Sequence, residues 1–576
     1  MRRNFVFRPI GALSVVAAAA GLVACGGGDD TTTATPTIPQ LTAAQAGTLS
    51  AACASLTGFT YAGVTIDSAA TVPAGTLTLA GQPVAEHCRV AGKLGSRTGS
   101  DGQTYAIGFE MRMPQAWSGR FYYQGNGGLD GSVVTATGAT GGGPTTHALQ
   151  QGFAVISSDA GHTGAQTAAF GFEAQARLDY GYQAAAKLTP MAKALVKAAY
   201  GRAPDRSYFG GCSNGGRHTL VATNRLAEEY DGFLAGAPGY NLPKAAVSQI
   251  WGAQQYARAY TVGATTTANG STIADLATAF TPAERTMIAG RILAKCDALD
   301  SAADGIVSDT AACQKAFSLA DDVPTCSGDV RDGTCLTALQ KDVLANIHAG
   351  ARTSTGTAIY NTFPFDAGIS GSGWAAWEFV NSLALDPLAA GVVFNANPAF
   401  LANPLTASID ALAAGITATS ATYTVSGMDF MTPPTPSNLS VLKNRGAKVM
   451  VYHGVSDAVF SYDDSVTWIK NLASANGGDA SNFARLYGVP GMNHCSGGPA
   501  TDQFDMLTPL VQWVEQGKAP DSVVASARGT GNAGGVNAEV PTTWAATRTR
   551  PLCAYPKVAK YKGTGSLELA DSFACQ

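Results

Sequence analysis

The chain has 576 residues, 46% hydrophobic and only 14% charged, with a formal net charge of −4 at pH 7. That length supports a large core and more than one domain. No basic run stands out, so a nucleic-acid partner has no electrostatic footprint. The 67 glycines make any glycine-based motif cheap, and such a motif needs corroboration.

The N-terminus reads as a targeting segment. Arg2 and Arg3 form a positive region, and residues 10–23 are an apolar, small-residue run too short for a comfortable membrane span. The run ends in LVAC at 22–25, the pattern of a bacterial lipobox. It predicts a lipoprotein-type leader over 1–25, with lipidation of Cys25. The alternative is an ordinary secretory leader cleaved near Ala24. Both imply export, to the outer membrane on a lipid anchor or to the periplasm or medium. Residues 26–40, GGGDDTTTATPTIPQ, read as a flexible tether. Of the 11 cysteines, Cys25 is the one a lipid would consume. The remaining ten suit five disulfides in an oxidising compartment, and with no CxxC pair a zinc site is a poor reading.

Short apolar runs ending in glycine-rich turns follow at 120–124, 153–157, 207–210, 448–452 and 484–489, with helical patterns at 184–200 and 215–229. Strand–helix alternation of this kind predicts an α/β fold around a mostly parallel sheet covered on both faces. The pattern is clear from about 105 to 240 and resumes near 440. We therefore expect a catalytic domain over 41–240 and 440–576, with 241–439 inserted as a lid subdomain. The alternative is one larger domain with long decoration.

Gly211-Cys212-Ser213-Asn214-Gly215-Gly216 lies between a strand-like run and a helical one. This is the context of a nucleophile elbow, G-x-S-x-G, where glycines permit a turn too tight for side chains. The serine then stands at a helix N-terminus, whose dipole favours a developing oxyanion. A serine nucleophile needs a base and an orienting acid, in the order Ser, Asp/Glu, His for this kind of fold. Of the four histidines after Ser213, His218 follows the elbow on the same helix and His348 falls in the insertion. His453 ends a strand, and His494 sits in the loop after the 484–489 strand. Asp457 occupies the loop after the preceding strand, and loops at strand C-termini are where catalytic groups belong in open α/β sheets. The blander alternative makes His494 a surface residue and Asp457 a turn former. Cys212 and Cys495 weigh against it, since they directly neighbour Ser213 and His494. If the triad forms, both cysteines come within disulfide range.

The motifs G-C-S-x-G-G and G-M-x-H-C-x-G-G resemble the tannase/feruloyl esterase family of α/β-hydrolases. So do GNGGLDGS (125–132), QARLDYGY (175–182), FLAGAPGYNLPKA (233–245), CDALDSAADGIV (296–307), YHGVSDAVFS (452–461) and TRPLCAYP (549–556). The resemblance runs from about residue 50 onward and weakens within 375–440. It implies an α/β-hydrolase core with an inserted lid, Ser213 as nucleophile, His494 as base and Asp457 as its orienting acid. The implied oxyanion hole is the backbone N–H of Gly128 and of Asn214, although similar members carry an acidic residue where this chain has Asn214. The disulfides implied are Cys212–Cys495, Cys53–Cys88, Cys296–Cys313, Cys326–Cys335 and Cys553–Cys575. A structural Ca2+ is implied at Asp297, Asp300 and Asp304 with the carbonyls of Ala302 and Ile306, a set of hard oxygen ligands. No organic cofactor is expected.

The implied activity is hydrolysis of a small aromatic ester by a monomer whose only membrane contact is its lipid anchor. Phe460 and Trp377 match aromatic wall positions of the pocket. Members that cleave terephthalate monoesters meet the free carboxylate with a lid arginine. This chain has no Arg from 353 to 444, and Lys443 is its only Lys from 342 to 444. Feruloyl- or galloyl-like esters are therefore expected at least as much as mono(2-hydroxyethyl) terephthalate. A non-catalytic ligand-binding lipoprotein is the alternative of another class, and a peptidase the other enzyme class, though nothing marks a peptide subsite.

Overall fold

In the computed structural model, nine strands make the central sheet: β1 (Val64–Val72), β2 (His87–Thr98), β3 (Thr104–Pro114), β4 (Arg120–Gln124), β5 (Ala154–Ser158), β6 (Arg206–Cys212), β7 (Gly232–Gly236), β8 (Lys448–Gly454) and β9 (Ala484–Val489). Residues 38–576 are described, apart from Thr140, Pro144 and Asp329. The leader, Cys25 and most of the 26–40 tether lie outside the described residues.

The sheet order is β9-β8-β7-β6-β4-β5-β3-β2-β1. The six strands from β9 to β5 run parallel, and β3, β2 and β1 extend the sheet antiparallel. Every residue of β5, β7 and β8 is buried. Successive side chains alternate between two cores, because a strand covered on both faces buries both its odd and its even positions. Tyr123, Ile156, Phe209, Phe233 and Val451 join one core. Tyr122, Val155, Tyr208, Leu234 and Met450 join the other. The runs expected as strands fall on β4, β5, β6, β8 and β9, the one at 153–157 beginning one residue early, and β7 is not among them. The antiparallel arm before residue 105 carries no comparable apolar run, because β1 (VTIDSAATV) is half-exposed along its length.

Helix α1 (Ala184–Tyr200) packs Leu188, Leu195 and Val196 onto the first core. It ends on Gly201, whose φ of 77° is the left-handed conformation that suits a helix stop. Helix α2 (Asn214–Arg225) follows β6. The helical pattern read to 229 stops at Arg225: Leu226 leaves helical geometry, and the chain turns so that Asp231 Oδ2 accepts the N–H of Ser207 at 2.8 Å.

Between β7 and β8 the chain builds α3 (Leu242–Tyr256), α4 (Pro282–Cys296) and α5 (Ala338–Ala349), with long irregular connections. Thr281 and Glu284 form a reciprocal capping box at the start of α4, and Thr337 and Gln340 do the same for α5. These helices share a third core, including Tyr256, Phe280, Ile288, Val343, Leu344, Trp374 and Phe379. Helix α6 (Tyr462–Ala475) joins β8 to β9, and α7 (Leu507–Gln516) covers the second core with Leu507, Leu510 and Val514.

All five disulfides are formed: Cys53–Cys88, Cys212–Cys495, Cys296–Cys313, Cys326–Cys335 and Cys553–Cys575. Four close local loops of 9 to 35 residues, whereas Cys212–Cys495 spans 283. Among the described residues, no helix is long and apolar enough to cross a membrane.

Candidate active site

Loops at the C-terminal ends of the parallel strands supply Ser213, Asp457 and His494. Ser213 lies between β6 and α2 with φ 66° and ψ −128°, a strained conformation for a residue with a Cβ. The residues two positions away on either side, Gly211 and Gly215, must be glycines. A Cβ on Gly211 would lie 2.4 Å from the carbonyl oxygen of Gly125, and one on Gly215 would lie 2.3 Å from the same atom. The loop after β4 is thereby pressed against the serine turn.

His494 Nε2 stands 2.7 Å from Ser213 Oγ, and His494 Nδ1 stands 2.7 Å from Asp457 Oδ2. The second oxygen of Asp457 accepts the N–H groups of Val459 and Phe460, both at 3.0 Å. Burial alone would raise the Asp457 carboxyl; the charge of His494 and hydrogen bonds from His453 and His494 outweigh it and hold the group well below the usual carboxylate range. His453 is fully buried beneath the acid. Its Nε2 lies 3.3 Å from Asp457 Oδ2 and 2.9 Å from the Phe460 carbonyl, while Nδ1 meets Ser465 Oγ at 2.8 Å. The sequence places His453 at a strand end and offers no sign that it supports the acid.

Gly128 and Asn214 line one cavity with Ser213. The first N–H groups of a helix have no intrahelical acceptor, so that of Asn214 is available to a ligand. The Asn214 side chain is engaged elsewhere. Its Nδ2 donates to Asp130 Oδ2 at 2.9 Å, and Arg217 donates to its Oδ1 at 2.6 and 2.9 Å. Asp130 also meets His218 Nε2 at 3.0 Å, so that histidine buttresses the 125–130 loop, away from the serine. The hydroxyl of Tyr180 donates to the Gly128 carbonyl at 3.1 Å and fixes the same loop from the other side.

Phe460 and Trp377 both border the cavity, and each meets the His494 ring edge-on, with centroids 5.3 and 4.9 Å away. The lining is mainly apolar, with Leu129, Leu242, Ala246, Leu385, Ala389 and Val459 beside the two rings. Among the described residues it contains no Lys or Arg, but it does contain Asp386.

Cys212–Cys495 bridges the residues beside Ser213 and His494, with Cα atoms 6.1 Å apart. A second tie comes from the insertion. Asp366 Oδ1 accepts from Ser456 Oγ at 2.5 Å and from Gly491 N at 2.9 Å, joining the acid loop to the base loop. Asn493 Nδ2 donates to the Gly368 carbonyl at 2.9 Å. Asp366 lies in PFDAGISG within the insertion, where no catalytic motif marks it.

The implied calcium residues remain together in the loop after α4. Asp297 accepts the N–H groups of Asp304 and Gly305, Asp300 those of Ala302 and Ser308, and Asp304 pairs with Arg550 at 2.5 Å. Among the described residues, no three His, Cys, Asp or Glu side chains are gathered as metal ligands. The donor chemistry nonetheless fits a hard cation. Burial raises both Asp297 and Asp300, the latter to about 6, and the neighbouring charge of Asp304 adds to both shifts.

The family model for tannase and feruloyl esterase matches residues 88–576. A mono(2-hydroxyethyl) terephthalate hydrolase of Piscinibacter sakaiensis is 40% identical over 551 residues, covering 89% of each chain. The crystal structure of feruloyl esterase B from Aspergillus oryzae superposes with a TM-score of 0.71 at 25% identity, covering 91% of this chain and 99% of that one. A tannin acyl hydrolase from Aspergillus niger shares the fold, with a TM-score of 0.62 at 19% identity over 89% of this chain and 92% of its own. With its mixed sheet and strand-end site, this chain is a carboxylic ester hydrolase and belongs to the tannase and feruloyl esterase family.

Proposed function

We propose that this protein is an exported serine esterase that cleaves aromatic carboxylic esters through an acyl-enzyme. The observation that carries the reading is the unbroken chain from Ser213 Oγ through His494 to Asp457, opening on a cavity with aromatic walls.

In this mechanism His494 Nε2 takes the Ser213 proton as Oγ attacks the ester carbonyl carbon. Asp457 stabilises the imidazolium and fixes its tautomer. The backbone N–H groups of Gly128 and Asn214 meet the oxyanion. Collapse of the tetrahedral intermediate breaks the bond to the alkoxide, which leaves with the proton from His494. Water, deprotonated by the same histidine, then attacks the acyl-serine and releases the acid.

The segment 241–439 acts as the lid, contributing Trp377 to the cavity wall. Asp297, Asp300 and Asp304 with the Ala302 and Ile306 carbonyls would hold a structural Ca2+, whose charge would offset the crowding of the carboxylates. Five disulfides support folding in an oxidising compartment; lipidation at Cys25 and a monomeric state complete the proposal.

A second reading, hydrolysis of mono(2-hydroxyethyl) terephthalate itself, is favoured by the 40% identical relative. It is disfavoured by a cavity lining without a cation to meet the free carboxylate. Ser213→Ala should abolish hydrolysis of p-nitrophenyl esters and labelling by a fluorophosphonate, with the circular dichroism spectrum unchanged. Retained turnover would sink the triad. A wild-type protein that binds aromatic esters but resists the fluorophosphonate would instead be a binding protein. A hydrolysis panel of methyl ferulate, methyl gallate and mono(2-hydroxyethyl) terephthalate then separates the two substrate readings.

A further inference from the structure

The cavity over Ser213 contains a carboxyl group for which the acyl-enzyme mechanism has no use. Asp386 begins the short helix Asp386–Leu388, lines the cavity and is 6% exposed. Its Oδ2 is buried with no hydrogen-bond partner. Around it, Leu242, Ala246, Leu385 and Ala389 give the lining aliphatic character. A buried polar atom left unmet is costly, and such an atom in a native fold asks for an explanation, an absent ligand among them. This one borders the space a substrate must enter.

The chemistry of the missing partner is narrow. Burial pushes the Asp386 carboxyl well above the ordinary range and so favours its neutral form, which presents both an O–H donor and acceptor lone pairs. A neutral hydroxyl satisfies such a group. A second carboxylate, as on a terephthalate monoester, would bring a charge into a lining that holds no Lys or Arg among the described residues. The half of the ester that stays enclosed is the acyl group, since the alcohol must leave and water must enter before turnover is complete.

We propose that Asp386 is a specificity-determining residue that pairs with a phenolic hydroxyl on the aromatic acyl group, making esters of hydroxylated aromatic acids the preferred substrates. This rests on the reading of the protein as an ester hydrolase acting through Ser213.

The test compares kcat/KM for methyl 4-hydroxycinnamate and methyl cinnamate, which differ only by the hydroxyl, in the purified full-length protein. A fluorophosphonate titration counts competent sites. The wild type should prefer the hydroxylated ester by about ten-fold or more, the value of one well-made hydrogen bond. Asp386→Leu should bring the ratio close to one, while Asp386→Asn, which still hydrogen-bonds, should retain a clear preference. A wild-type ratio near one overturns the proposal, as does an undiminished ratio in Asp386→Leu, or a higher kcat/KM for mono(2-hydroxyethyl) terephthalate than for either ester. An undiminished ratio combined with lowered thermal stability would assign the carboxyl to the helical turn it begins. If Asp386→Leu does not fold, the wild-type ratio and the Asp386→Asn variant decide. A wild type that is neither labelled nor active on any ester refutes the esterase reading, and this one with it. Turnover without hydroxyl preference refutes this one alone.

Discussion

Replacing Cys212 and Cys495 together by alanine tests whether their bridge is what holds the serine turn against the base loop. The bond joins residues 283 apart, whereas the other four disulfides span 35, 17, 9 and 22 residues and cannot substitute for it. In the chain-entropy account the stabilisation grows with the logarithm of loop length, and a loop of this size gives about 5.6 kcal/mol at 25 °C. Cys296–Cys313 and Cys326–Cys335 lie inside that loop and shorten it too little to change a logarithm much. Residual structure in the unfolded chain makes the figure an upper bound. Activity should fall less steeply than stability, because Asp366 and Asn493 still tie the base loop to the insertion. An ångström of drift between Ser213 and His494 costs on the order of 100-fold in rate, so a loss between about 10-fold and 100-fold is expected. Urea unfolding followed by tryptophan fluorescence reads the first quantity, and kcat on p-nitrophenyl acetate the second. A double variant within about 1 kcal/mol of the wild type, a surface-mutation effect, and within twofold in kcat would refute the reasoning.

Asp457→Asn should lower kcat by roughly 10⁴-fold, because an amide offers His494 the wrong tautomer; pre-steady-state kinetics should show slowed acylation with the fold intact. Asp366→Ala removes the acceptor shared by Ser456 and Gly491. It should destabilise the protein by about 1–3 kcal/mol and reduce kcat more than it raises KM, as steady-state kinetics would show. Glu378 is pushed up to about 8 by burial, with the charge of Asp457 adding repulsion. The folded state therefore holds its proton more tightly than the unfolded one, and stability should fall as pH rises from 4.5 towards 8; Glu378→Gln should flatten that slope in melting curves. Chelation should lower Tm, Ca2+ should restore it, and Asp300→Asn should abolish the restoration.

The legible parts of this molecule are those whose constraint lies in the chain itself. The elbow is legible because Gly211 and Gly215 cannot carry a side chain against the Gly125 carbonyl, so the steric demand is written as glycine. Five of the six parallel strands are legible as short apolar runs, whereas β7 (GFLAG), equally buried but bounded by glycines, is not among the expected strands. Asp457 and His494 follow from strand order, and Cys212 and Cys495 are visible because each sits one residue from the group it holds. The antiparallel arm lacks this advantage, its β1 being half-exposed with small and polar residues interleaved. Asp366, His453 and Asp386 stay hidden for a different reason. Each acts through a partner 90 or more residues away, or through a cavity that the distant insertion closes, or beneath a residue already assigned, and no local pattern encodes such a meeting. The same distinction separates the reaction from its substrate. Acyl transfer needs groups fixed by strand ends and tight turns, whereas the choice of ester depends on the walls supplied by 377–389, within the stretch where the sequence resemblance is weakest. One carboxyl there, unpaired and enclosed, narrows the substrate more than the family motifs do, because those motifs specify only how an ester bond is broken.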